Sequence, residues 1–152
     1  MSEFVEGLKS RGDVFIRVVR QEDNEIVHSH AIRNLIVALG KTAMARFLGG
    51  YSGQSGEYLS KIAFGTDGTA AASGNTALGL SQLVKTATVS YPAFNQVMFS
   101  AVMATTEGGT LTYQELGLLS NTSSNLFSRV VIPAITKSSL YRIEVDWVIS
   151  FQ

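Results

Sequence analysis

Residues 140–151, L-Y-R-I-E-V-D-W-V-I-S-F, alternate apolar and polar positions over the whole run. Tyr141, Ile143, Val145, Trp147, Ile149 and Phe151 fall on one face of a pleated strand, with Arg142, Glu144, Asp146 and Ser150 on the other. At about 3.3 Å per residue such a strand runs roughly 40 Å, about twice the usual length. It therefore spans a domain, and a sheet must form beside it.

The same strand signals recur along the chain. Residues 13–20, with V-F-I-R-V-V-R, and 25–31, E-I-V-H-S-H-A, flank the turn-forming Gln21-Glu22-Asp23-Asn24 and predict a hairpin. Further strands are predicted at 59–64, 83–91, 96–104, 111–119 and 126–132, with breaks at Pro92 and Pro133 and polar turns at 105–110 and 120–124. Between hairpin and strands, Leu35, Leu39, Ala43, Met44, Phe47 and Leu48 recur at three- and four-residue steps. That stripe predicts one α-helix over about 34–48, capped by Asn34 and ended by Gly49-Gly50. Gly40 inside it costs about 1 kcal/mol relative to alanine.

Strands separated by turns every 8–12 residues predict a mainly β protein, a jelly-roll-like antiparallel β-sandwich with one helix. The expected organisation is an N-terminal arm, 1–12, and a single sandwich domain, 13–152. The arm carries Phe4, Val5 and Leu8 at near-helical spacing and reads either as a loose tail or as a grip on a neighbouring subunit. Residues 65–79 are a loop in which eleven of fifteen residues are Gly, Ala or Thr. With so little bulk it builds no core of its own, and so runs across the surface or packs on another copy.

Composition sharpens this picture. The chain has 12 basic and 12 acidic residues, and only 16% of its residues are charged, against about 25% ordinarily. Such a surface favours oligomerisation or assembly, the alternative being a monomer coated in Ser, Thr and Asn. Phosphate neutralisation needs a more basic chain, so no nucleic-acid partner is expected. No apolar run reaches the 18 or so residues of a membrane span, and none is expected to meet a membrane. The first residues, Met1-Ser-Glu-Phe, lack a signal-peptide pattern and read as part of the mature protein. With no cysteine, thiol chemistry and disulfides are excluded.

Candidate chemistry is thin. Gly40-Lys41-Thr42 resembles the end of a phosphate-binding loop, but Leu35 stands where that motif needs glycine. His28 and His30 share a strand face without a third ligand, and read as the polar face of an edge strand. Glu144 and Asp146 share a face with Arg142, as a solvated charged face does. Asn121-Thr-Ser matches a glycosylation pattern. No cofactor, metal or catalytic residue is expected.

Several local patterns follow one another in a recognisable order: N-L-I-V-A-L-G at 34–40, K-I-A-F-G-T-D-G-T at 61–69, N-T-A-L-G at 75–79, Y-Q-E-L-G-L-L at 113–119, F-S-R-V-V-I-P-A-I-T-K at 127–137 and W-V-I-S-F at 147–151. In this order they resemble a group of small virion proteins of tailed bacteriophages. The resemblance covers roughly residues 31–151. It implies a β-sandwich module without enzyme activity, used as a capsid decoration (cement) protein or as a tail, neck, baseplate or fibre-anchoring adaptor. It also implies a trimer bound to the major capsid protein on the virion surface. The chain stops one residue after its last strand and carries an extra hairpin and arm at its front, which favours cement over the root of a fibre. On that reading the contacts come from Phe4, Val5 and Leu8 of the arm and from Thr66, Asp67 and Thr69 of the small-residue loop. A carbohydrate- or receptor-binding module is the rival of another class, with Tyr51, Tyr58 and Tyr113 as candidate loop aromatics.

Overall fold

The alternating run at the C-terminus forms strand β10 (Tyr141–Phe151), and it lies at the centre of a sheet. A computed structural model describes residues 9–52, 57–122 and 124–152. On one side β10 pairs antiparallel with β1 (Ser10–Arg20), and on the other with β7 (Gln96–Met103). Trp147 sits opposite Val14 and Phe99 and is fully buried. Ile143, Val145 and Ile149 are buried beside it, so the period of two is the period of the core.

Strands β2 (Ile26–Arg33) and β6 (Thr88–Ser90) complete the first sheet, in the order β2-β1-β10-β7-β6. The second sheet has the order β3-β9-β8-β4-β5, from β3 (Leu35–Ile36), β9 (Leu126–Thr136), β8 (Thr112–Ser120), β4 (Leu59–Gly65) and β5 (Ser81–Thr86). All the pairings are antiparallel, and the protein is a mainly β sandwich with one helix, α1 (Ala38–Gly49). Its core joins Val14, Ile16, Phe99 and Trp147 of one sheet to Ile62, Phe64, Leu116, Leu118 and Val130 of the other. Phe64 and Tyr113 meet edge-to-face at 6.3 Å.

Four expectations shift. The helix begins at Ala38 after Val37, whose backbone is extended, and no side chain caps it. Asn34 instead holds the turn between β2 and β3: its backbone N–H donates to Gly12 O, and its side-chain amide meets Ser128 Oγ. Val37 and Ala38 donate to Phe127 O and Ser73 O, so neighbouring backbone does the work assigned to a capping side chain. The helix does end as expected, with Gly50 left-handed at φ 65°.

Residues 83–91 do not form one strand. The chain passes from β5 in one sheet to β6 in the other at Ala87, whose N–H donates to Ser60 O at 2.7 Å. Pro133 does not end its strand either, because β9 runs on to Thr136. A register shift between Tyr113 and Glu115 accompanies it, and β3 pairs only with Ser128 and Arg129, so Pro133 sits where β9 has no second neighbour. Finally, Ser10, Arg11 and Gly12 of the expected arm belong to β1 and pair with β10.

Candidate functional site

W-V-I-S-F lies on β10 in the first sheet, while the motifs at 61–69, 75–79, 113–119 and 127–137 meet on the second sheet, with the small-residue loop on its outer face. Ala63 and Gly65 on β4 and Gly117 on β8 leave little side-chain bulk there. A Cβ on Gly65 would stand 2.7 Å from Glu115 Cγ, and one on Gly117 would stand 2.8 Å from Leu78. Into this space fold residues 66–80, the small-residue loop. Leu78 packs beside a small second core of Val37, Ala63, Leu119 and Leu126.

A loop whose only large apolar side chains are Leu78, half-buried, and Leu80, exposed, gains little from burial, and it is held by hydrogen bonds. Glu115, completely buried, accepts from Asp67 N at 2.8 Å, Gly79 N at 2.8 Å and Leu80 N at 2.9 Å. Its Oε1 also receives Arg129 Nε at 3.1 Å, and Arg129 is buried in turn. Arg129 reaches Asn75 Oδ1 and the carbonyl of Asp67 with its other nitrogens. Gln114 Nε2 donates to Thr66 O. A buried carboxylate is tolerated only when paired and hydrogen-bonded, and here one carboxylate ties three loop N–H groups and a guanidinium together.

Two lysines, Lys137 of the F-S-R-V-V-I-P-A-I-T-K motif and Lys85 outside the motifs, also tie loops down. Lys137, buried at the end of β9, donates from Nζ to Thr105 O at 3.2 Å and Ser138 O at 2.8 Å. Burial pushes its ammonium below the usual lysine range. Lys85 meets Glu107 at 2.9 Å, and Glu107 lies below the usual carboxylate range because it accepts from Ala104 N–H and from Lys85.

The expected contact residues Thr66, Asp67 and Thr69 stand together where this loop leaves β4. Thr66 and Asp67 are half-buried and Thr69 is exposed. The Asp67 carboxylate accepts the Thr69 N–H at 2.9 Å, which lowers its pKa. Phe4, Val5 and Leu8 lie outside the described residues. The loop closes on its own sheet.

Other candidates resolve as follows. Glu144 and Asp146 are bridged by Arg17 at 3.0 and 2.9 Å, Glu144 also meets Arg142 at 2.9 Å, and Ser100 donates to Asp146. They form a cross-strand ion network and not two free carboxylates; Arg142 first, then Arg17, holds the Glu144 pKa down. His28 and His30 lie on edge strand β2 opposite Val18 and Ile16, and no group of three metal-ligating side chains occurs among the described residues. Lys41 lies in the first turn of α1, which follows β3 through Val37 alone, but the glycine a phosphate loop needs is replaced by Leu35 on β3. Asn121 accepts the Tyr58 N–H through its side chain. Tyr113 is no surface aromatic: it is buried, with its hydroxyl donating to Gly108 O. No described helix is long and apolar enough to cross a membrane.

A second feature lies apart from the loop. Beside α1, at the end of the sandwich where β10 finishes, lies an open apolar hollow of about 560 Å³ between Met44, Phe47, Val97, Phe99, Tyr91 and Phe151. Tyr91 and, on the adjoining turn, Phe94 are exposed, as are Leu48 and Tyr51 at the end of the helix. In sequence Met44, Phe47, Leu48, Tyr91, Val97, Phe99 and Phe151 look like core, being set in strand or helix periods, while Tyr51 and Phe94 fall in loops; only the fold shows that nothing described covers this end.

No protein-family model matches the chain, and neither a curated protein nor a solved structure shows significant similarity to it.

Proposed function

We propose that this protein is a non-enzymatic structural component of a tailed-phage particle, a capsid decoration protein that binds the shell as an oligomer, with a trimer the state implied by the resemblance. The observation that carries the reading is the convergence of the ordered motifs. G-T-D-G-T and N-T-A-L-G lie within one loop, E-L-G-L and the arginine of F-S-R-V-V come from two other stretches, and their charged and small residues serve to fix that loop. A rigid, low-charge loop suits repeated docking on a lattice, because little conformational entropy is lost on contact. Many such weak contacts from one oligomer add through avidity. The major capsid protein is the partner in this reading, with Thr66, Asp67 and Thr69 at the contact.

The test is electron microscopy of particles carrying a tagged copy, with copy number measured by quantitative mass spectrometry. Hundreds of copies over the shell are expected. A few dozen confined to the neck, baseplate or fibres would replace the cement reading with that of a tail adaptor, and absence from particles would remove both. Loss of shell binding in Thr69→Glu with an unchanged fold would place the contact on the loop.

A further inference from the structure

We infer that strand β2 pairs antiparallel with β2 of a second copy of this chain, and that His28 and His30 of the two copies together form a site for a divalent cation of the zinc kind. This goes beyond the proposed function and uses none of the loop residues on which that reading rests.

The free edges of the two sheets are not alike. Among the described strands, β3 has two residues and β6 three, the open flank of β9 carries Pro133, and β5 carries Lys85 and a register shift beside Gly65. Short strands, prolines, lysines and bulges keep a sheet edge from pairing with another chain. β2 ends its sheet with eight residues, I-V-H-S-H-A-I-R, that hold no proline, lysine or acid. Its one register shift against β1 lies between Val18 and Val19, so residues 28–33 run regularly.

The phase of the strand decides which backbone groups are free. Asn34 N–H donates to Gly12 O, and β2 continues that antiparallel register along β1. Ile32, His30 and His28 therefore turn their backbone groups to β1, while Arg33, Ala31 and Ser29 turn theirs outward. Two identical edges in antiparallel order match about a two-fold axis, which makes a second copy the fitting occupant. Charge sets the register. With Ser29 opposite Ser29, Arg33 of each copy comes beside Glu25 of the other, so opposite charges meet at both ends of the pair.

That register places His28 of one copy opposite His30 of the other. Both lie on the core-facing side of β2, opposite Val18 and Ile16. The second sheet ends on this side in the two-residue β3 and leaves them uncovered, His28 exposed and His30 half-buried. Across such a non-hydrogen-bonded pair the Cα atoms stand about 4.5 Å apart, and alternate residues along a strand stand about 6.6 Å apart. Four imidazoles on one face at these spacings supply the nitrogen ligands of a tetrahedral site, of which one chain holds half.

The test uses untagged full-length protein cleared of metal with EDTA and then given ZnCl2. Calorimetry is expected to show one Zn2+ per two chains, and His28→Ala/His30→Ala is expected to lose that binding. Ser29→Pro keeps both histidines and removes only an outward N–H, a change that a sheet edge tolerates. Its zinc affinity is expected to fall about tenfold or more, half of the ligands being lost. In zinc, its mass by light scattering is expected to be half that of the parent. Ala31→Pro, at the next outward N–H, takes its place should Ser29→Pro fail to fold. One Zn2+ per chain, or zinc binding that survives the proline unweakened, would overturn the pairing. No zinc binding, or binding kept in His28→Ala/His30→Ala, would overturn the site. Particle location is untouched by these results, so this inference and the proposed function fail separately.

Discussion

The outer face of the second sheet and the open end beside α1 face the same physical demand and meet it in opposite ways. On the sheet face, a loop nearly devoid of apolar bulk is fixed by a buried carboxylate that accepts three of its backbone N–H groups and an arginine. At the open end, large apolar side chains line a hollow and its rim, and no described part of the chain covers them. Where apolar area is scarce, directional bonds supply the order; where it is plentiful, the described residues leave it open. The first region is closed by described residues, and the second is not.

The sharpest way to break the first region is to remove Glu115. Glu115→Ala leaves Arg129 buried without its counter-charge and three loop N–H groups without an acceptor, so a loss of about 3–5 kcal/mol is expected in urea unfolding. The double variant Glu115→Met/Arg129→Met separates a clamp from a mere ion pair. Replacing a buried pair by apolar residues is often neutral, yet here the orphaned N–H groups keep the double variant well below the parent; recovery of full stability would refute the clamp.

Gly40 tests how tightly the helix meets the sheet. Alanine gains about 1 kcal/mol in helix propensity. Its Cβ, however, would stand 2.1 Å from the carbonyl oxygen of Phe127, which is backbone and cannot rotate away. Overpacking of about 1–3 kcal/mol outweighs the gain, and Gly40→Ala is expected to lower thermal stability.

Acid gives a smaller and graded effect. Hydrogen bonds and charge hold Glu144 and Glu107 below the ordinary glutamate value of about 4.3 in the folded chain. Each therefore contributes stability that is present above that value and lost as pH falls through the lowered folded pKa. The urea midpoint is expected to be level near neutrality and to drop below about pH 4.5. In Glu144→Gln that drop shrinks.

The smallest effect on stability is expected at the open rim. Phe94 is fully exposed, so Phe94→Ser changes the unfolding free energy by less than about 0.5 kcal/mol. It nevertheless lowers the mass seen by light scattering at a given concentration. That split, association lost with folding kept, separates an interface from a badly packed core.

The sandwich was legible in sequence because strand period and core period coincide: the odd positions of β10 predict the buried Ile143, Val145, Trp147 and Ile149. The limits of α1 were not, because its first N–H groups are met by Phe127 and Ser73, partners distant in sequence. Pro133 misled for a similar reason, since a strand flank without a neighbour has no hydrogen bond for proline to remove. In the candidate site, the loop 65–79 was visible by its composition, but Glu115 and Arg129 look like ordinary surface charges until the fold buries them. A bulge beside Gln114 sets Glu115 on the outer face, and no local pattern announces it. The hollow is the converse case: apolar residues in regular periods that the fold leaves uncovered.

Amide hydrogen exchange on the full-length protein, at two concentrations spanning its association, distinguishes a region closed within the chain from one left open by it. Peptides covering 65–80 should be protected like the core strands at both concentrations, while those covering 44–52 and 88–97 gain protection only at the higher one. Free exchange in 65–80 beside protected β8 and β9, or concentration-dependent protection there with none at the open end, would contradict that division.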